Sequence, residues 1–150
     1  GCGRTDWVER GGVFNWMTCR AAAEGGQLRV LQWLRGRGCP WNSETCEVAA
    51  FNGHLKVLQW ARREGCPWND DTCWGAACGG HLEVLQWARR EGCEWDSITC
   101  LGAACGGHLE VLKWAINNGC PYDERDFENI SDPNFHEWLR DYIAIKSNQV

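Results

Sequence analysis

Apolar and polar positions alternate along this chain with the period of a helix. Leu55, Val57, Leu58, Trp60 and Ala61 make a broad apolar stripe, and Gly65 stands where a left-handed stop ends a helix. Upstream, Cys46, Ala49 and Ala50 place small side chains at i, i+3 and i+4, a face that lets helices approach closely. Asn52-Gly53 interrupts the two stretches. The pattern predicts a helix A of about nine residues ending at Asn52-Gly53, and a helix B from about Leu55 to Glu64. No stretch alternates with period two over a useful length, so no strands are expected.

The same pattern returns every 27 residues. Thr-Cys begins at Thr18, Thr45, Thr72 and Thr99. Trp33, Trp60, Trp87 and Trp114 align, as do Cys39, Cys66, Cys93 and Cys120, and then Trp41, Trp68, Trp95 and Tyr122. Asn42, Asn69, Asp96 and Asp123 stand where a helix N-cap belongs. The ring before each cap and the Cys after it, such as Trp41 with Cys46, have the spacing of a hydrophobic staple. A unit this short buries its apolar face only by stacking on neighbours. The predicted fold is therefore all-α, an elongated and curved α-solenoid of helix-turn-helix repeats. Four units occupy 18–44, 45–71, 72–98 and 99–125, preceded by a partial repeat over 1–17 and followed by a polar C-terminal capping repeat over 126–150.

These columns resemble ankyrin repeats. "AAxxGHLxVL" at Ala49–Leu58, Ala76–Leu85 and Ala103–Leu112 is similar to the family's helix-turn-helix core, and "GCPWN" to its "GADVN" segment. The resemblance covers 18–125 well and the flanks weakly. It departs in its 27-residue period, against 33, and in lacking the Thr-Pro-Leu-His opening. It is nearest to the short, Cys- and Trp-rich variants of large DNA viruses and unicellular eukaryotes. The shortening removes the β-hairpin finger. The resemblance implies a protein-interaction scaffold with neither catalysis nor cofactor, and places helix A on the concave, partner-binding side.

Composition narrows the alternatives. With 15 Lys plus Arg against 20 Asp plus Glu, the net charge of -5 is no strong lure for nucleic acid or an anionic membrane. No apolar run approaches the ~20 residues of a membrane span. Eleven cysteines, an odd number in a chain large enough to have its own core, fit an intracellular, reducing compartment better than a secreted scaffold. The chain opens on Gly, and its first half-unit carries Trp7, Val8, Phe14 and Trp16. Preceding repeats are expected to cover that end in a longer chain; alone, the protein is expected to be a monomer prone to self-association.

Each chemically suggestive residue type recurs in a column, which favours packing. Same-column cysteines on stacked helices lie about 8–10 Å apart, beyond the reach of a disulfide. The tightest spacings, Cys73 to Cys78 and Cys100 to Cys105, turn the thiols in different directions, so free thiols acting as small hydrophobes are expected. His54, His81 and His108 are read as making a structural hydrogen bond near the start of helix B. Arg35, Arg62 and Arg89 suit the helix-B dipole. The tryptophan columns belong to the core. No nucleophile–base–orienter set, phosphate loop or paired-carboxylate cleft can be assembled, so no catalytic or metal-ligating residue is assigned.

Residues that must pack look alike from repeat to repeat, whereas residues that read a partner are free to differ. The most variable helix-A columns are Arg20, Glu47, Trp74 and Leu101, then Glu24, Phe51, Cys78 and Cys105. Their i, i+4 offset puts them on one face. Ser43-Glu44, Asp70-Asp71, Ser97-Ile98 and Glu124-Arg125 are expected to border it as linker positions. Phe51, Trp74 and Leu101 would form an apolar centre, and Glu44, Glu47, Asp70 and Asp71 an acidic flank suited to a basic segment of another protein. Two other readings stand beside this one. One is a Cys-rich metal or redox module; the other is a targeting or accessory domain of a larger protein.

Overall fold

A computed structural model describes residues 14–149. Over these residues the protein is an all-α solenoid: helix-turn-helix units stacked in sequence order, with no strand. The first helices of successive units are α1 (Trp16–Glu24), α3 (Ser43–Phe51), α5 (Asp70–Cys78) and α7 (Ser97–Cys105). The second helices are α2 (Leu28–Gly36), α4 (Leu55–Arg63), α6 (Leu82–Arg90) and α8 (Leu109–Asn117). Each first helix packs on the first helices beside it and on its own second helix. No helix among the described residues is long and apolar enough to cross a membrane. Trp7 and Val8 of the expected apolar N-terminal end lie outside the described residues.

The first helices start, and both helices of a unit stop, for local chemical reasons. The Asn42 side chain accepts from the Glu44 N–H at 3.0 Å, and Asn15, Asn69 and Asp96 do the same in their own units. These caps set the structural units three residues ahead of the Thr-Cys boundaries, which cut through the first helices. At the other end, Gly53 adopts φ 75° and donates to the Ala50 carbonyl, while the His54 N–H reaches Ala49 O at 2.8 Å. Gly65 and Cys66 repeat the motif at the end of α4, onto Arg62 and Ala61.

The core is built from the repeating columns. Cys46, Ala49 and Ala50 are buried on α3, as are Val57, Leu58 and Ala61 on α4, and their counterparts follow in later units. Glycines bring α3, α5 and α7 together: a β-carbon on Gly79 would lie 2.0 Å from the Phe51 carbonyl oxygen, and one on Gly75 2.9 Å from that of Glu47. The linker rings meet the helix-B tryptophans edge to face, Trp41 on Trp60, Trp68 on Trp87 and Trp95 on Trp114, each pair with centroids 5.8 Å apart.

The cap departs from a plain fifth repeat. Where its first helix would run there is one 3-10 turn, Glu124–Phe127, and then a longer helix α9 (Pro133–Ser147). Asp132 caps α9 and Pro133 occupies its first turn, so the chain starts a new helix there instead of continuing the old one. Phe127 and Phe135 seal the end of the stack edge to face at 5.6 Å, and both are buried. With the alanine pair replaced by Ile130-Ser131, the small face that admits a close neighbour is missing.

Candidate functional site

The variable columns lie together on the solvent side of the first helices. Glu24, Phe51 and Cys105 are exposed, and Arg20, Glu47, Trp74, Cys78 and Leu101 are half-buried. Between them on the same helices, Cys46, Ala49, Cys73 and Ala76 are buried. Of the bordering positions, Asp70, Asp71 and Ile98 are exposed and Glu44 is half-buried. Ser43-Glu44, Asp70-Asp71 and Ser97-Ile98 are not linker: they are the first two residues of α3, α5 and α7. The cap ahead of each pair, satisfied by the second N–H, draws them into the helix.

Charge along this strip is uneven. Arg20 reaches Glu24 at 3.2 Å and Glu44 at 3.4 Å, so one cation offsets part of the charge of two carboxylates at the N-terminal end. Glu47 has no such partner. Burial, followed by the nearby Asp71 and Glu44 charges, pushes its carboxyl above the ordinary carboxylate range. The acidic flank is therefore weakened at Glu44, and Glu47, Asp70 and Asp71 carry most of it.

The aromatic centre divides by role. Phe51 is 42% exposed and free to be covered. The Trp74 indole instead lies against Gly102 of the next first helix, its Cδ1 and Nε1 3.1 Å from where a β-carbon would stand. Trp74 thus spends part of its surface joining two repeats. Leu101 and Cys105 line a cleft of about 400 Å³ with Asp126, Asn129, Ile130 and Ser131. Those cap residues escaped the sequence reading because they fall outside the repeat; the signal was the lost alanine pair, which leaves the outer side of α7 only partly covered.

The basic and histidine columns have occupations that their positions alone did not reveal. The Arg35, Arg62 and Arg89 guanidinium carbons sit 4.1 to 4.2 Å above the centroids of Trp41, Trp68 and Trp95. Each also donates to the backbone carbonyl of the linker cysteine four residues on. His54 makes no bond capping its own helix. Its Nε2 donates across to the Glu24 carbonyl of the preceding unit at 2.9 Å.

The cysteines require a correction. All ten described are free. Yet the separation of same-column cysteines does not extend to different columns of one unit, where two thiols come together. The Cys19 thiol donates to the Cys39 sulfur at 3.1 Å, and Cys46, Cys73 and Cys100 lie beside Cys66, Cys93 and Cys120 of their own units, close enough for the linker thiol to raise the first-helix one. The donor thiols are held protonated: Cys46, Cys73 and Cys100 by the bond they give and then by burial, and Cys19, pushed up to about 12, by burial first. The acceptors Cys93 and Cys120 are drawn down by the bond they receive. Among the described residues, no three His, Cys, Asp or Glu side chains converge as metal ligands would. No protein-family model matches the sequence, and neither does any curated protein.

Proposed function

We propose that this chain is an ankyrin-type interaction module that binds a basic segment of another protein along the exposed strip of its first helices. The observation that carries this reading is the coincidence of two independent patterns. The columns that vary from repeat to repeat are the ones left in contact with solvent, and they join an exposed Phe51 to unneutralised carboxylates at Glu47, Asp70 and Asp71. Aromatic anchors supply most of the energy of such interfaces, while surrounding charge steers the encounter and selects the partner. The compartment expected from the cysteine content, reducing and intracellular, belongs to the same reading.

The test uses fluorescein-labelled peptide libraries, one rich in Lys and Arg and one rich in Asp and Glu, titrated by anisotropy. The basic library should bind more tightly, and its affinity should fall as salt rises. Phe51→Ala should weaken binding by about 1–2 kcal/mol without loss of helicity. Trp74→Ala should weaken it too, at some cost in stability because of the Gly102 contact. Equal binding of both libraries, or unchanged affinity in both variants, removes the strip from consideration.

A further inference from the structure

The linker cysteine turns its sulfur to the cap residue's carbonyl in all four units, the first unit bringing its two sulfurs to 3.1 Å, and the fold builds this placement from local rules. The first-helix cysteine is the fourth residue of its helix, so the Asn or Asp cap fixes its height in the unit. The linker cysteine is three residues beyond the end of the second helix, where the glycine stop fixes it: the Cys93 N–H bonds to Ala88 O at 2.9 Å. Its sulfur faces the cap residue's carbonyl, Cys93 to Asn69 O at 3.3 Å and Cys120 to Asp96 O at 3.3 Å. The stacked arginine holds the carbonyl of the same residue. Cys73 and Cys93 are 0% and 1% exposed.

We propose that each unit carries a covalent modification site, in which its first-helix and linker cysteines close into a disulfide on oxidation by hydrogen peroxide. The partners are 20 positions apart, so the four rings do not overlap and none ties one repeat to the next. Closure asks the Cys19 and Cys39 sulfurs to move from 3.1 Å to about 2.05 Å. The linker sulfur accepts the hydrogen bond and is the better nucleophile. Its thiolate attacks peroxide to give a sulfenic acid and hydroxide; the paired thiol displaces the sulfenic oxygen, which leaves as water. Two thiols and one peroxide become one disulfide and two waters. The depth of the pairs makes the reaction wait on local opening of a unit. Pairing also sorts the ten cysteines among the described residues: eight belong to pairs, and Cys78 and Cys105 stand on the exposed strip without a partner in their units.

The experiment treats folded protein with peroxide, quenches it, alkylates under denaturing conditions and maps the peptides by mass spectrometry. Linked peptides Cys19–Cys39, Cys46–Cys66, Cys73–Cys93 and Cys100–Cys120 should appear, with Cys78 and Cys105 still open to alkylation. The melting temperature should rise by about 5 °C or more, since each bridge restricts the unfolded chain. A dithiol reductant should reverse both changes. Cys73→Ala and Cys93→Ser should each abolish only the third unit's link. Links between Cys78 and Cys105 or between molecules in place of these, sulfinic acids without linked peptides, or eight thiols that react only after denaturation would each overturn the proposal.

Discussion

The imidazole of His81 rests on the backbone of Gly53 in the preceding repeat, so closely that a β-carbon there would lie 2.6 Å from its Cε1 and Nδ1. His54 stands in the same relation to Gly26, and His108 to Gly80. The inter-helix turns of the first three units are thus seats for the next unit's histidine. That is why the glycine serves two purposes, a φ of 75° and an empty face.

Gly53→Ala should therefore cost more than Gly65→Ala. Both introduce a side chain at positive φ, worth about 1–2 kcal/mol, but around Gly65 nothing lies within 4 Å. Pairing Gly53→Ala with His81→Ala should recover part of the loss. Urea denaturation of the four proteins measures it; equal losses at the two glycines would show that the ring contact is immaterial.

Thr45, Thr72 and Thr99 are fully buried, and their hydroxyl oxygens have no hydrogen-bond partner. Replacing such a hydroxyl by a methyl removes an unrewarded desolvation. Thr72→Val is expected to leave stability unchanged or raise it by up to about 1 kcal/mol, whereas Thr72→Ala should lower it by opening a void. A clear loss in the valine variant would reveal a partner for the hydroxyl.

Arg89 both covers Trp95 and holds the Cys93 carbonyl, a combination that a planar guanidinium satisfies and an ammonium does not. Arg89→Lys should lose about 1 kcal/mol although the charge is kept. The variant's tryptophan emission should shift relative to the parent, because the Trp95–Trp114 pair becomes more accessible. Wild-type stability in Arg89→Lys would reduce the contact to simple coverage.

Glu47 gives a pH signature. Burial first, and Asp71 and Glu44 after it, raise its folded-state pKa above the ordinary 4.5. A carboxyl raised in this way favours the fold while protonated. That contribution is fully present below the unfolded value and is lost as pH rises through the folded one. Glu47→Gln stays neutral, so it should exceed the parent in stability at pH 7 by less than about 1 kcal/mol, discounted for solvent screening. The advantage should vanish below about pH 4. Identical unfolding midpoints at pH 7 would count against it.

The helices and their ends were legible in the sequence because their causes are local. Asn42 caps from two residues away, and Gly53 stops a helix by its own backbone. The side on which Glu47 and Phe51 lie followed from helical spacing alone. What stayed hidden depends on the path of the chain between columns. Cys46 meets Cys66 and Arg35 covers Trp41 at offsets set by how the turns fold back, which a 27-residue register does not display. The cap was legible as polar but not as a single 3-10 turn, since Ile130-Ser131 says that a close neighbour is lost without saying what replaces it.

The glycines that bring α5 against α3 mean that the units are not interchangeable beads. A copy of the second unit placed third would carry Asn52 where Gly79 stands, and its β-carbon would meet the Phe51 carbonyl at 2.0 Å. Val48 would likewise arrive at the place of Gly75, against the Glu47 carbonyl. An array of this kind can lengthen by duplicating its third or fourth unit, which carry Gly75 and Gly79 or Gly102 and Gly106, whereas a copy of the second needs its new junction repaired, so the order of the repeats is written into their seams.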